Sequence, residues 1–272
     1  MTERILVLYA YYEKDEIYKS NLLFFLKNGL CDDCDYIFII NGQNSVDIPK
    51  QFNIKIIYRE NKDYDFGAYN DGLKQTNIND YKYFIFLNTS VRGPFIPKYV
   101  SIKWYRPFIN LLKDDVKLVG TTINILNISS STHSQIFELK TGFKRPHTHV
   151  QTQFFAVDKE CLQFLLYKKL FEPVLHQDMT EFIALKEIMM TQLVIKHGWN
   201  ISCILPEYQN IDYRQLTNDI NHTSLNGDPC FQNSCFGRTM HPYECIFIKT
   251  NRGTCVNEIN SLSIYWYKYN NK

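Results

Sequence analysis

Four short apolar runs in the first ninety residues constrain the fold more than any other feature of this chain. They span Arg4 to Tyr11, Tyr36 to Ile40, Ile54 to Tyr58 and Tyr83 to Leu87. Each is of strand length and rich in β-branched and aromatic residues. Their weak polar alternation is what a sheet covered on both faces requires. Between the first two runs, Ile17, Leu22, Leu23, Phe25 and Leu26 recur at helical spacing up to Gly29, a helix stop. Further helices are expected over about Gly67 to Gln75 and near Arg106 to Lys113, with a strand from Lys117 to Thr121. Strands alternating with helices make βαβ units and a mostly parallel twisted sheet flanked by helices. The predicted class is α/β.

Ligands of such sheets bind beyond the carboxyl ends of the strands, near the point where strand order reverses. The polar clusters fall at those ends: Tyr11-Tyr12, Asn41-Gly42, Asn61 to Asp65 and Asn88 to Arg92. The second half is less regular. It offers a strand over Val150 to Val157, a long helix over Thr180 to His197 and a strand over Ile201 to Leu205. A turn-rich loop over Asn210 to Cys235, a strand over Cys245 to Lys249 and an aromatic tail, Tyr265-Trp266-Tyr267, follow. Nothing in the composition splits the chain, so residues 1–125 and 126–272 read as two halves of one domain.

Thirty Lys and Arg against 28 Asp and Glu leave a formal charge of +2, without the basic surplus of a nucleic-acid binder. No run approaches the ~18 apolar residues of a membrane-spanning helix. The apolar start at Ile5 is too short for a signal-peptide core. Eight cysteines at irregular spacing then read as reduced thiols, and a cytoplasmic protein is expected.

The most informative stretch runs from Arg59 to Leu73 and contains Asn61, Asp65-Phe66-Gly67 and Ala68-Tyr69-Asn70-Asp71-Gly72; Asn88 follows fifteen residues after it. It resembles the nucleotide-sugar half of family 2-like GT-A glycosyltransferases: a strand, Asn-x-Gly, Ala-x-Asn-x-Gly opening a helix, then a strand ending in Asp-x-Asp. With Phe86 to Phe95, the Asp-Phe-Gly-Ala-Tyr variant is similar to a narrower branch found in rhamnan-synthesis-like proteins and large DNA viruses. The resemblance implies a single GT-A (Rossmann-like) domain with an irregular C-terminal part, residues 1–125 holding the donor and 126–272 the acceptor. For a viral source the location would be the host cytosol.

The resemblance places a uridine or thymidine on Tyr11, Asn41, Asn61 and Asp65, and a diphosphate near Gly67, Ala68, Asn88, Ser90 and Arg92. Gly67 and Ala68 allow close approach, and a helix start offers free amides to phosphate oxygens. The competing readings are that Asp65 caps the helix, that Gly67 relieves packing and that Arg92 pairs with a carboxylate in a turn. Asn88-Thr89-Ser90 stands where the family carries Asp-x-Asp, and neutral oxygens are poor ligands for Mg2+ or Mn2+. A metal, if held, needs help from elsewhere, with Ser90 and His241 as candidates. Arg238 or Lys249 would otherwise meet the phosphate charge.

In related enzymes an acid begins a helix that ends at a glycine about three turns later and acts as catalytic base. Glu187, eleven residues before Gly198, suits that pattern, with Asp178 as rival; a mid-helix Glu is otherwise a surface residue. Trp104 and Tyr105 are candidates for stacking on an acceptor sugar, against simple core packing. The expected function is transfer of a sugar from a UDP- or dTDP-sugar to a glycan or other hydroxyl acceptor, with inversion. The alternatives are a catalytically degraded GT-A scaffold that binds a glycan or a partner, and a nucleotidyltransferase.

Overall fold

The computed structural model describes residues 3–127, 131–174 and 178–269. Its centre is a seven-stranded sheet. In chain order the strands are β1 (Ile5–Tyr11), β2 (Cys34–Asn41), β3 (Ile54–Arg59) and β4 (Tyr83–Asn88), then β6 (Val116–Gly120), β9 (Phe154–Asp158) and β10 (Asn200–Cys203). They are ordered β10-β6-β9-β4-β1-β2-β3, and only β9 runs antiparallel to its neighbours. Two small ladders stand outside it. β5 (Val91–Arg92) pairs with β11 (Ile248–Lys249), and β7 (Ile123–Leu126) pairs with β8 (His147–Val150). The mostly parallel α/β sheet expected from the apolar runs is present, and both halves of the chain contribute strands to it.

Every residue of β1 is buried. Successive side chains enter opposite cores, as the pleat demands. Leu6 and Leu8 pack with Phe84, Phe86 and Phe155 on one face; Val7 and Tyr9 pack with Phe38, Ile85 and Phe154 on the other. Helix α1 (Glu16–Asn28) is capped by the Asp15 carboxylate, which accepts from the Tyr18 amide, and stops at Gly29 as expected. Helix α2 (Tyr64–Lys74) starts a turn earlier than Gly67, from an Asp63 in the left-handed region (φ 56°).

Other boundaries differ for local reasons. The Arg106–Lys113 helix shrinks to one turn, α3 (Arg106–Ile109). The Val150–Val157 run is two strands, β8 and β9, joined through buried Gln151, Thr152 and Gln153. Helices α4 (Thr132–Thr141) and α5 (Lys159–Tyr167) belong to the second half, and the aromatic tail is the end of helix α9 (Val256–Tyr269), where Trp266 packs 6.2 Å from the Phe24 ring. All eight cysteines are free thiols.

Trp104 and Tyr105 require a correction. They are 3% and 0% exposed, and Trp104 is enclosed by Phe25, Phe154 and Phe247 while its indole N–H donates to the Gly29 carbonyl at 2.8 Å. Tyr105 donates to Asp33. Neither ring face is open to a sugar. Trp104→Ala is expected to cost about 3–5 kcal/mol in urea unfolding, the usual range for a buried Trp. A loss under about 1 kcal/mol would contradict this packing role.

Candidate active site

Strand order reverses at β1, whose neighbours β2 and β4 lead to opposite sides of the sheet. A crevice therefore opens beyond the carboxyl ends of β1 and β4. The residues that rim it fall into two sets, those spent on building the rim and those turned into the space.

Tyr11 and Asn41 belong to the first set. Tyr11 is fully buried and its hydroxyl donates to Glu13 at 2.8 Å. The Asn41 amide donates to the Tyr11 carbonyl at 2.9 Å and accepts from Arg59 at 2.6 Å. Arg59, unassigned from sequence, also reaches Asp71 at 2.7 Å and the Lys62 carbonyl at 2.8 Å, so it pins the β3–α2 loop to β2. Asn61 on that loop is exposed. A Cβ on Gly67 would lie 2.6 Å from the Asp63 Cβ, so glycine is required there for the loop to close over the helix. Because α2 begins at Tyr64, the Gly67 amide is already bonded to the Asp63 carbonyl at 2.9 Å. Ala68 is buried in the core. The amides left open by helix geometry are those of Tyr64, Asp65 and Phe66, one turn ahead of the expected position.

Asp65 does not cap α2. Its carboxylate accepts from the Asn88 side chain at 2.5 Å, across the crevice at the end of β4. Burial and the nearby Glu187 charge outweigh the Asn88 bond and Lys249, raising its carboxyl to about 6. The Asn88 oxygen accepts from both the Ser90 amide (2.9 Å) and hydroxyl (2.6 Å). The Asn88-Thr89-Ser90 turn is thus closed on itself.

Arg92 also requires a correction. It is 7% exposed and points into the interior, donating to Asn21 at 2.8 Å and Ser263 at 3.3 Å, with desolvation lowering its pKa. The cation facing the crevice is Lys249. Ladder pairing of β11 with β5 sets it beside Val91, and it acts electrostatically on both Asp65 and Glu187. Among the described residues the Lys249 ammonium has no hydrogen bond or ion pair, whereas Arg238 is held by Glu207 and Glu244.

Glu187 enters from the second half of the chain. The long helix expected over Thr180 to His197 forms as α6 (Met179–Phe182) and α7 (Met189–Lys196) joined through a π turn, Ile183–Ile188. π turns are rare and concentrate at functional sites. This one sends Lys186 to the back, where its ammonium donates to the Leu170 and Glu172 carbonyls at 2.6 Å each and burial lowers it to about 8. Glu187 faces forward. Burial disfavours its charge, but His149 at 3.4 Å, Lys249 and the Thr152 hydroxyl outweigh that cost and hold the carboxyl at about 2. His149 stands on β8 and is 2% exposed. In the sequence only its alternate spacing with His147, which puts both on one face of a strand, marks it.

Asp178 is exposed and caps α6, accepting from the Glu181 amide at 2.8 Å. His241 caps the short helix α8 (Pro242–Cys245) through its Nδ1 and lines a separate cavity with Gln232 and Glu258. Ser90 and His241 are not brought together. Among the described residues no three His, Cys, Asp or Glu side chains cluster as metal ligands, and the Asn88 oxygen is already occupied. Ser90 and His241 therefore do not make a divalent-cation site with each other.

Two cavities adjoin these groups. One of about 420 Å³ is lined by His133, His149, Gln151, Glu187, Asp228, Lys249 and neighbours; one of about 360 Å³ lies by Asn61, Gly67, Phe182 and Lys186.

The mostly parallel seven-stranded sheet, with its one reversed strand between β4 and β6, is consistent with the GT-A (Rossmann-like) α/β fold expected from the sequence. A family pattern described as rhamnan synthesis protein F matches residues 37–226, well over half of the chain, and the chain belongs to that family. Among solved structures it is similar to the mannosyltransferase PcManGT from Pyrobaculum calidifontis in complex with GDP-Man and Mn2+. The identity is 9%, the TM-score 0.43, and 73% of this chain and 54% of that one are covered. The chain thus spans about half the length of that relative. It is also similar to 4-diphosphocytidyl-2C-methyl-D-erythritol synthase from Anaerococcus prevotii, at 14% identity, a TM-score of 0.41 and coverage of 79% and 93%. None of the curated proteins matches the chain. No described helix is long and apolar enough to cross a membrane.

The opposed carboxyls give a pH test. Asp65 titrates higher in the folded chain (about 6) than its ordinary 3.8, so the fold binds the extra proton and stability falls as pH rises from about 4 to 6. Asp65→Asn keeps the oxygen that accepts from Asn88 and removes the charge. Its melting temperature should exceed the parent's at pH 7, with the gap closing toward pH 4. An equal gap at both pH values would contradict the buried-charge account.

Proposed function

We propose that this chain is a glycosyltransferase that moves a sugar from a UDP- or dTDP-sugar to a hydroxyl of a glycan acceptor. The observation that carries this is the convergence of Asp65, Glu187 and Lys249 at the carboxyl edge of the sheet, drawn from three distant parts of the chain. Membership of a polysaccharide-synthesis family supports it. In this reading the nucleoside lies toward Asn61 and Asp65, whose carboxylate accepts from a ribose hydroxyl. The diphosphate lies by the amides at the start of α2, the Asn88 and Ser90 edge, and Lys249. Lys249 takes the charge-neutralising place first sought in Arg92 or a metal ion.

Glu187 is the base. Held near 2, it is ionised at neutral pH and intrinsically weak. A weak base suffices because the acceptor hydroxyl becomes strongly acidic as its oxygen bonds to the anomeric carbon. The proton passes to Glu187 while the carbon–oxygen bond to the diphosphate breaks and the leaving group keeps the electron pair. One displacement of this kind inverts the anomeric centre. Eight free cysteines and balanced charge support a cytoplasmic enzyme, in the host cytosol for a viral source.

The reading is tested by thermal shift with nucleotides and nucleotide sugars, with and without Mn2+. Ligand at a hundred times its dissociation constant stabilises by ~2.7 kcal/mol. UDP or dTDP forms should give that shift without Mn2+, and Lys249→Met should weaken it about tenfold or more. Glu187→Gln should keep the shift and lower kcat by roughly 10²–10⁴-fold. The closed Asn88–Ser90 turn favours a second reading, a degraded scaffold that binds a glycan or partner. A chain that shifts with no nucleotide would select it.

A further inference from the structure

The 420 Å³ cavity extends beyond Glu187 and Lys249 into a region that neither the nucleotide nor the diphosphate accounts for. Its size lies within the ~300–1,000 Å³ range of small-molecule sites. The far wall comes from Asn124 on β7, Gln151, His133, Asp228, Phe231 and Arg252. Asn124 is 6% exposed and its side-chain oxygen has no hydrogen-bond partner among the described residues. A buried amide oxygen left unpaired costs about 1–3 kcal/mol, so a donor from a bound molecule would be well received there.

The charges of this wall are balanced. Arg252 pairs with Asp228 at 3.0 Å and lies 4.6 Å over the Phe231 ring, while burial holds His133 below its ordinary pKa. What remains is a set of mixed donors and acceptors with an aromatic edge, suited to an uncharged polyhydroxyl ring rather than to an anion. The wall is built by design of the chain. Asn226 (φ 53°) and Gly227 (φ 82°) form the tight turn that bridges Leu225 to Asp228. A Cβ on Gly227 would meet the Ile125 carbonyl at 2.4 Å, so only glycine lets this loop lie on β7.

We infer that this wall, Asn124, Gln151, His133, Asp228 and Arg252 beside Phe231, is the acceptor subsite and takes an uncharged pyranoside with one hydroxyl directed at Glu187. The inference rests on the transferase reading above, and replaces Trp104 and Tyr105 with residues of the opposite half.

The test is saturation-transfer NMR on the full chain with methyl α-L-rhamnoside, methyl α-D-glucoside and methyl β-D-galactoside, in the presence of UDP. At least one glycoside should bind. Asn124→Leu and Asp228→Asn should each weaken it about tenfold or more while the UDP thermal shift stays unchanged. Both variants must melt cooperatively, and Gln151→Leu provides a third if either does not. Three results would overturn the subsite: no glycoside bound by the parent chain, equal binding in folded variants, or displacement by a nucleotide sugar but not by UDP, which would assign the cavity to the donor sugar. A parent chain that shifts with neither UDP nor dTDP would instead sink the transferase reading, and the glycoside result would still be read.

Discussion

A buried polar knot between α1 and the end of β4 holds the crevice together. Asn21, fully buried, donates to the Thr89 carbonyl and the Thr250 hydroxyl at 2.8 Å each and accepts from Arg92 at 2.8 Å. One amide therefore ties the first helix, the turn after β4 and the strand that carries Lys249, which lie far apart in sequence. Thr89 and Arg92 are buried as well, so each of those bonds lost leaves an unsatisfied group worth about 1–3 kcal/mol. Arg92 serves the site from behind, by orienting Asn21 rather than by meeting phosphate.

The sheet explains why the polar chemistry collects where it does. β1 is buried on both faces and has room only for apolar side chains, so groups able to bind or react are confined to the strand ends. There the two carboxylates are driven apart in acidity by their surroundings. Asp65 is desolvated by burial, with one amide donor and a like charge nearby, and rises; Glu187 is buried too but has an imidazole, Lys249, a hydroxyl and a backbone amide, and falls. Groups separated in this way suit different tasks, one as a hydrogen-bond partner and one as a permanent anion.

How much of this was legible in the sequence follows from the range of each signal. The first four strands and α1 are local and periodic, and the structure keeps them within a residue or two. Asp65 and Asn88, which the structure brings into contact, are both carried by one short motif. Glu187 was placed by its spacing to Gly198, though the π turn that aims it leaves no local pattern. Lys249 could be named only alongside Arg238, and His149 was not assigned, because a ladder brings the first to Asn88 from 161 residues later and a strand pairing brings the second to Glu187 from 38 residues earlier, in ways no spacing encodes. Trp104 and Arg92 misled for the opposite reason: an aromatic or a cation beside a motif looks the same whether it faces the ligand or the core.

The central claim is that Lys249 and Glu187 face one bound nucleotide sugar at the carboxyl edge of the sheet. A crystal structure of the chain with a non-hydrolysable UDP-sugar analogue tests it most directly. The account predicts the diphosphate within hydrogen-bond reach of Lys249 and the anomeric carbon open toward Glu187. A nucleotide seated instead in the cavity by Phe182 and Lys186, with Lys249 and Glu187 untouched, would contradict it.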